Sequence, residues 1–194
     1  MRKTVAGIAI LIALILFYVV WPFASLIAVV RAAHAGDVAT VEQRVEWPAL
    51  RRSLAGQIVA AYGRIAGVNL ERSPLTVGAV TSFMDGFIEK LVLPENVSAL
   101  MRDGWPKAII DEGPEGVEGL DPETLGNAWQ LYFNSDYGIG EVRTLVPFHQ
   151  AKDRQFRIHL ALSHGTWKLT GLDLPVALQD KLARELLRQQ GKEG

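Results

Sequence analysis

Along this chain the pattern of hydrophobic and polar positions changes twice, and each change marks a different kind of element. Val5 to Val20 is a run of sixteen residues without a charge, preceded by Arg2 and Lys3 and followed by Trp21-Pro22-Phe23. With Thr4 and the aromatic exit it reaches the length that a bilayer-spanning helix needs, about 17 to 25 residues. Helical spacing then takes over. Leu26, Val29, Val30 and Ala33 lead to Gly36, a residue suited to end a helix, and Asp37 is placed to cap the next turn with Val38, Val41 and Val45 on one face. The approach through Pro22 predicts that the first run continues into this helix with a kink. Trp47-Pro48 opens a clearer helix whose stripe is Leu50, Leu54, Ile58, Ala61 and Ile65. Ser73-Pro74 starts another, with Val80, Phe83, Met84, Phe87, Ile88 and Leu91 on one face, and Pro94 begins a short one over residues 95–102.

Past residue 124 the period falls to two. Trp129, Leu131 and Phe133 share one face of a first run, Val142, Thr144, Val146 and Phe148 of a second, and Phe156, Ile158, Leu160 and Leu162 of a third. Trp167 and Leu169 lead a fourth. Turns are expected at residues 135–138, at 149–154 and at His164-Gly165, so the runs read as an antiparallel meander, and the change of phase at Gly171 predicts a bulge. Pro175 stops the last strand, and Leu178, Leu182 and Leu186 predict a closing helix over residues 176–190.

These elements add up to an α+β protein: a transmembrane anchor over residues 1–22, then one domain over 23–194. In that domain a helical half (23–103) packs on one face of a four-stranded antiparallel sheet that ends in a C-terminal helix (125–194). Between the halves, Asp103 to Glu123 holds seven carboxylates, four glycines and three prolines against the single Lys107. That composition predicts a solvated connector, and its spacing does not match a calcium loop.

The first run is open to three readings: a retained anchor, a cleaved signal peptide, or a buried helix of a soluble protein. A signal core is shorter, about 7 to 15 residues, and runs straight into its small-residue cleavage site. Here the nearby A-x-A pattern, Ala33-His34-Ala35, lies well beyond the core, so length and flanks point to the anchor. Arg2 and Lys3 before the span place the N-terminus in the cytoplasm and the domain outside it, with Tyr18, Trp21 and Phe23 as an interfacial aromatic belt. Residues 4–22 then meet the lipid bilayer.

Composition removes several function classes. Twenty basic residues against twenty-one acidic leave a formal net charge of −1. Nucleic acid is therefore not an expected partner, since phosphate binding needs a concentrated positive surface. With zero cysteines there is no disulfide, thiolate metal site or thiol nucleophile. The four histidines, His34, His149, His159 and His164, form no metal-binding pair of the usual spacing, and no dinucleotide loop or nucleophile elbow is present. No cofactor is expected. A general acid–base pair would have to be assembled from distant residues, such as His159 with Asp136 or Asp153, with a connector carboxylate as another candidate base. Arg51, Arg52 and Arg64 lie off the stripe of their helix, where they suit either solvent or lipid headgroups.

Several of these segments also resemble a known family. Trp21-Pro22-Phe23, Arg31-Ala32-Ala33-His34-Ala35-Gly36-Asp37, Val45-Glu46-Trp47-Pro48-Ala49-Leu50-Arg51, Tyr132-Phe133-Asn134-Ser135-Asp136 and Gly165 to Pro175 look like the bacterial single-pass proteins of the DUF2939 family. The resemblance implies placement at the membrane and no activity, because that family has no established function. More distantly, a sheet closing on a tryptophan strand behind packed helices is similar to the nuclear-transport-factor-2-like (NTF2-like) cone, which is an analogy of fold alone.

The expectation is thus a membrane protein of unknown function in the bacterial cytoplasmic membrane, its domain in the periplasm. It is read as a non-enzymatic module that binds a lipid, a small apolar ligand or an envelope protein. A structural or assembly subunit is the alternative, and an NTF2-like enzyme a third reading. Trp129, Tyr132, His159 and Trp167 are the candidate ligand-binding residues.

Overall fold

A computed structural model describes residues 2–67, 84–126 and 128–193 of the chain. The first element, α1, is one helix over Arg2–Ala35 with Pro22 inside it. Its environment switches at that proline. On the N-terminal side Val5, Ile8, Ile10, Leu11, Phe17, Val20 and Trp21 are exposed; on the other Phe23, Leu26, Val29, Val30 and Ala33 are buried in the domain core. Gly36 ends the helix at a φ of 71°, and the Asp37 amide donates back to the Ala32 carbonyl at 2.9 Å, which partners one of the free carbonyls of the last turn.

Asp37 then caps α2, Val38–Arg44, by accepting from the Thr40 amide at 3.1 Å. α3, Trp47–Ala66, buries Leu50, Leu54, Ile58 and Ala61, the stripe expected from its spacing. The expected helix start at Ser73-Pro74, with Val80 and Phe83, lies outside the described residues. Residues 84–91 form α4, with Met84, Phe87, Ile88 and Leu91 buried, and Pro94–Asp103 forms α5.

The connector differs from the solvated spacer expected. Its carboxylates Asp111, Glu112, Glu115, Glu118 and Asp121 do face solvent, while Ile110, Val117, Leu120 and Leu125 are buried in the core. Four apolar side chains spread along an acidic stretch suffice to fold it back onto the helices. The Leu120 amide donates to the Met101 carbonyl at 2.6 Å and His34 Nε2 donates to the Leu120 carbonyl at 2.7 Å. Gly119 allows this approach: a Cβ there would collide with the Arg102 carbonyl.

Two further expectations are corrected at the start of the sheet. Trp129 to Phe133, read as a strand, lies in a short helix, α6 (Ala128–Phe133), and Ser135–Gly138, read as a turn, is strand β1. Three alternating apolar residues are too few to separate a strand from one helical turn. In α6 Leu131 is buried while Phe133 is exposed, and Asn134 and Ser135 continue the helical pattern by bonding to the Gln130 and Leu131 carbonyls.

The rest of the sheet follows the sequence pattern. β2 (Glu141–Val146), β3 (Phe156–Ser163) and β4 (Thr166–Asp173) complete an antiparallel meander in the order β1-β2-β3-β4. Ser163 pairs with Thr166 around His164 and Gly165, both at positive φ, which is the mirror-image two-residue turn that suits twisted strands. The ladder slips between His159 and Leu160, which leaves Thr170 as the extra residue of the expected bulge. The inner face of the sheet, with Val142, Val146, Phe156, Ile158, Leu160, Trp167 and Leu169, is buried against the helices. α1 is fastened to it where Ser25 Oγ donates to the Trp167 carbonyl at 2.6 Å.

The free edge of β4 is closed by the helical half. The Glu46 amide donates to the Leu169 carbonyl at 2.8 Å. Further along, Gln57 Nε2 donates to the Leu172 carbonyl at 2.9 Å and Gln57 Oε1 accepts from the Leu174 amide at 2.7 Å. An open strand edge invites pairing with another chain, and these bonds remove it. The C-terminal helix α7, Val176–Glu193, packs on α3, with Leu178, Leu182, Ala183 and Leu186 buried.

Candidate functional site at the aromatic end of the domain

Where α1 enters the domain, aromatic side chains from three elements gather around it. Phe17 and Trp21 pack together at 4.8 Å between ring centroids, and Tyr18 meets Trp167 of β4 edge-on at 5.9 Å. Phe23 meets Tyr137 of β1 edge-on at 6.1 Å, and Tyr137 in turn meets Tyr132 of α6 at 5.4 Å, with Phe133 stacked edge-on beyond it at 5.4 Å. The β1–β2 turn completes the ring, because the Gly140 amide donates to the Tyr18 hydroxyl at 2.9 Å. Gly140 takes a φ of 72° in that two-residue turn and leaves Ile139 fully exposed at its tip. Burial, helped by the neighbouring Tyr132, pushes the Tyr137 hydroxyl up to about 12, so it stays a neutral hydrogen-bonding group.

The sequence-predicted ligand residues divide between this ring and another surface. Tyr132 belongs to the ring and is partly exposed. Trp167 lies beneath it with no exposed area, so no ligand reaches its ring while Tyr18 stays in place; its Nε1 has no hydrogen-bond partner among the described residues. Trp129 falls in α6, and its side chain lies outside the described residues. His159 is apart from the other two, on the outer face of the sheet.

His159 approaches a carboxylate other than the two expected. Its Nε2 lies 3.0 Å from Asp173 Oδ2, while Asp136 is registered opposite Arg143 and Asp153 sits in the β2–β3 loop. The contact is close, though the ring N–H is poorly aligned with the carboxylate oxygen. The His159 ring holds the Asp173 carboxyl below its ordinary range; partial burial opposes this, and Arg157 and Arg143 add to it. Each remaining histidine has a separate neighbour: His34 the Leu120 carbonyl, His149 the Glu118 carboxylate at 3.0 Å, and His164 the Ser163 hydroxyl at 3.1 Å. Among the described residues no three histidine or carboxylate side chains come together as metal ligands. Arg51 and Arg64, considered for headgroups, lie 3.5 Å from Asp85 and 2.9 Å from Asp180.

A groove of about 840 Å³ lies between the connector and α7. Its walls mix both signs of charge, Asp111 and Glu112 facing Lys181, Arg184 and Arg188. It is an open surface feature, unlike the apolar concavity that usually takes a small ligand.

The family described as "Protein of unknown function (DUF2939)" matches residues 11–100. Over those residues the chain is similar to that family. The DUF2939 match runs from the exposed half of α1 to the penultimate turn of α5, so it covers the helical half and the anchor side of the aromatic ring. Tyr132 to Asp136 and Gly165 to Pro175, which also looked DUF2939-like in sequence, lie beyond it. No curated protein and no solved structure matches the chain. The likeness to the NTF2-like cone therefore has no structural match behind it.

Proposed function

We propose that α1 is a retained membrane anchor and that the domain it carries is a non-enzymatic binding module of the bacterial envelope, for a lipid or an envelope protein. One observation carries this reading: a single helix is apolar before Pro22, with Val5, Ile8, Ile10, Leu11, Phe17, Val20 and Trp21 exposed, and is part of the domain core from Phe23 onward. An exposed apolar helix of this length is costly in water and suits a bilayer. The window that passes a hydropathy test for a span among the described residues is Phe17–Ala35, but nearly half of it is buried inside the domain. We therefore assign the span to residues 4–21, ahead of the buried half of the helix.

The same helix weighs against a cleaved signal. Removing residues 1–35 would take Phe23, Leu26, Val29, Val30 and Ala33 out of the core. Arg2 and Lys3 orient the anchor with its N-terminus in the cytoplasm and the domain in the periplasm. Against an enzyme of the NTF2-like kind stands the packing between sheet and helices. Phe156, Ile158, Leu160, Trp167 and Leu169 of the sheet's inner face are all buried there. His159 and Asp173 face outward on the open sheet surface instead.

Native mass spectrometry of the full chain, released from bacterial membranes in mild detergent, tests the binding role. A retained lipid or a co-purifying envelope protein is the expected result. A bare monomer under conditions that preserve known lipid adducts would overturn it.

A further inference from the structure

The apolar part of α1 before Pro22 is short. From Thr4 to Trp21 there are eighteen residues, which at 1.5 Å per residue span about 27 Å. The hydrocarbon core of a bilayer is about 30 Å thick, and tilting the helix only lessens the depth it covers. An anchor of that length leaves no stretch of helix between bilayer and domain. The turn of α1 that holds Tyr18 and Trp21 must therefore lie in the membrane interface, and whatever is fastened to that turn lies there too.

Parts of the sheet are fastened to it. The Tyr18 hydroxyl accepts from the Gly140 amide at 2.9 Å, and helical side chains lean toward the helix N-terminus, so the β1–β2 tip stands level with Tyr18 or on the bilayer side of it. Ile139, the residue before Gly140, is fully exposed there. The Leu162 amide donates to the Gly140 carbonyl at 2.8 Å, which brings the exposed Leu162 beside the tip. On the other flank Tyr137 links the tip to Tyr132 and to Phe133, which is three-quarters exposed. Glu141, the carboxylate beside the tip, is paired with Arg143 at 3.4 Å. These side chains continue the apolar surface of α1 outward into a collar, with tyrosines at the depth where amphipathic rings are favoured.

We propose that this collar, Ile139, Leu162, Phe133, Tyr132 and Tyr137, is a membrane-docking face that inserts into the boundary between headgroups and acyl chains. The domain is then seated on the bilayer at a fixed orientation, with the β2–β3 loop and its Lys152 at the opposite end of the sheet and away from the lipid. The proposal rests on the anchor reading above, and its test separates the two.

The chain has no cysteine, so single positions can be labelled cleanly. The full-length variants Ile8→Cys, Ile139→Cys and Lys152→Cys, each carrying a thiol-linked fluorophore, are reconstituted into vesicles of phosphatidylethanolamine and phosphatidylglycerol with brominated acyl chains. The expected result is strong loss of emission at Ile8, clear loss at Ile139 and none at Lys152. Loss at Ile8 with Ile139 as bright as Lys152 leaves the anchor standing and overturns the docking face. Loss at Ile139 without loss at Ile8 supports the docking face and overturns the anchor. Full emission at all three positions overturns both.

Discussion

Asp173 and His159 sit on the outer face of the sheet because of one extra residue. Directly opposed residues share a face, and an unbroken ladder counted from Ser163 and Thr166 would set Asp173 opposite Phe156, which points into the core. The bulge at Thr170 moves Asp173 opposite Arg157 and brings its carboxylate to His159. The alternation that puts His159 outward is plain in the sequence. Its partner is not, since pairing depends on where the extra residue is absorbed. The depressed Asp173 carboxyl has a consequence for stability. A group whose folded pKa is lowered contributes fully above its ordinary value and loses that contribution as the pH falls through the lowered one. Both side chains are partly exposed, so the contribution is below about 1 kcal/mol. Asp173→Asn should therefore lower the urea midpoint slightly at neutral pH, and the gap to wild type should close below about pH 4. A gap that widens on acidification would contradict the pairing.

Among the elements, β4 and the connector depend on single residues of the helical half. Gln57 satisfies one acceptor and one donor along the β4 edge, and leaving such groups unpaired costs about 1 to 3 kcal/mol. Gln57→Ala should lose about that much in denaturant unfolding and should also show self-association, because the edge is reopened; a stable, monodisperse variant would argue against the role. Gly119→Ala places a methyl group against the Arg102 carbonyl and should cost about 1 to 3 kcal/mol. An unchanged unfolding midpoint would mean that the connector is not held on α5.

Helices with long stripes, such as α3 and α7, and strands with sustained alternation, such as β2 and β3, were legible because their cores repeat the signal many times. α6 and β1 were not. Ser-Asp-Tyr-Gly has little strand propensity and no fully buried side chain, and it becomes a strand only through its ladder to β2. Gln57 was equally hidden, since a glutamine beside a helical stripe looks like any solvated position.

At the scale of the whole molecule, α1 has two halves in two environments. Leu26→Ala, in the buried half, should cost about 2 to 5 kcal/mol of domain stability, as core truncations do. Leu11→Ala, in the exposed half, should change it by no more than about 0.5 kcal/mol. Equal effects, read by tryptophan fluorescence during unfolding in detergent, would contradict the division at Pro22. The sequence already carried the run and its continuation through Pro22. The collar was illegible, because Ile139, Phe133 and Leu162 belong to three separate segments that only the sheet register and the Tyr18–Gly140 bond bring together.

The function proposed for this molecule depends on α1 staying attached in the membrane. The most direct measurement is alkaline carbonate extraction of bacterial membranes that carry the full chain, followed by the intact mass of the protein recovered from the pellet. A pelleted chain whose mass includes residues 4–22 is the predicted result. A protein released into the soluble fraction, or one whose mass shows that the first 22 residues are gone, would contradict it.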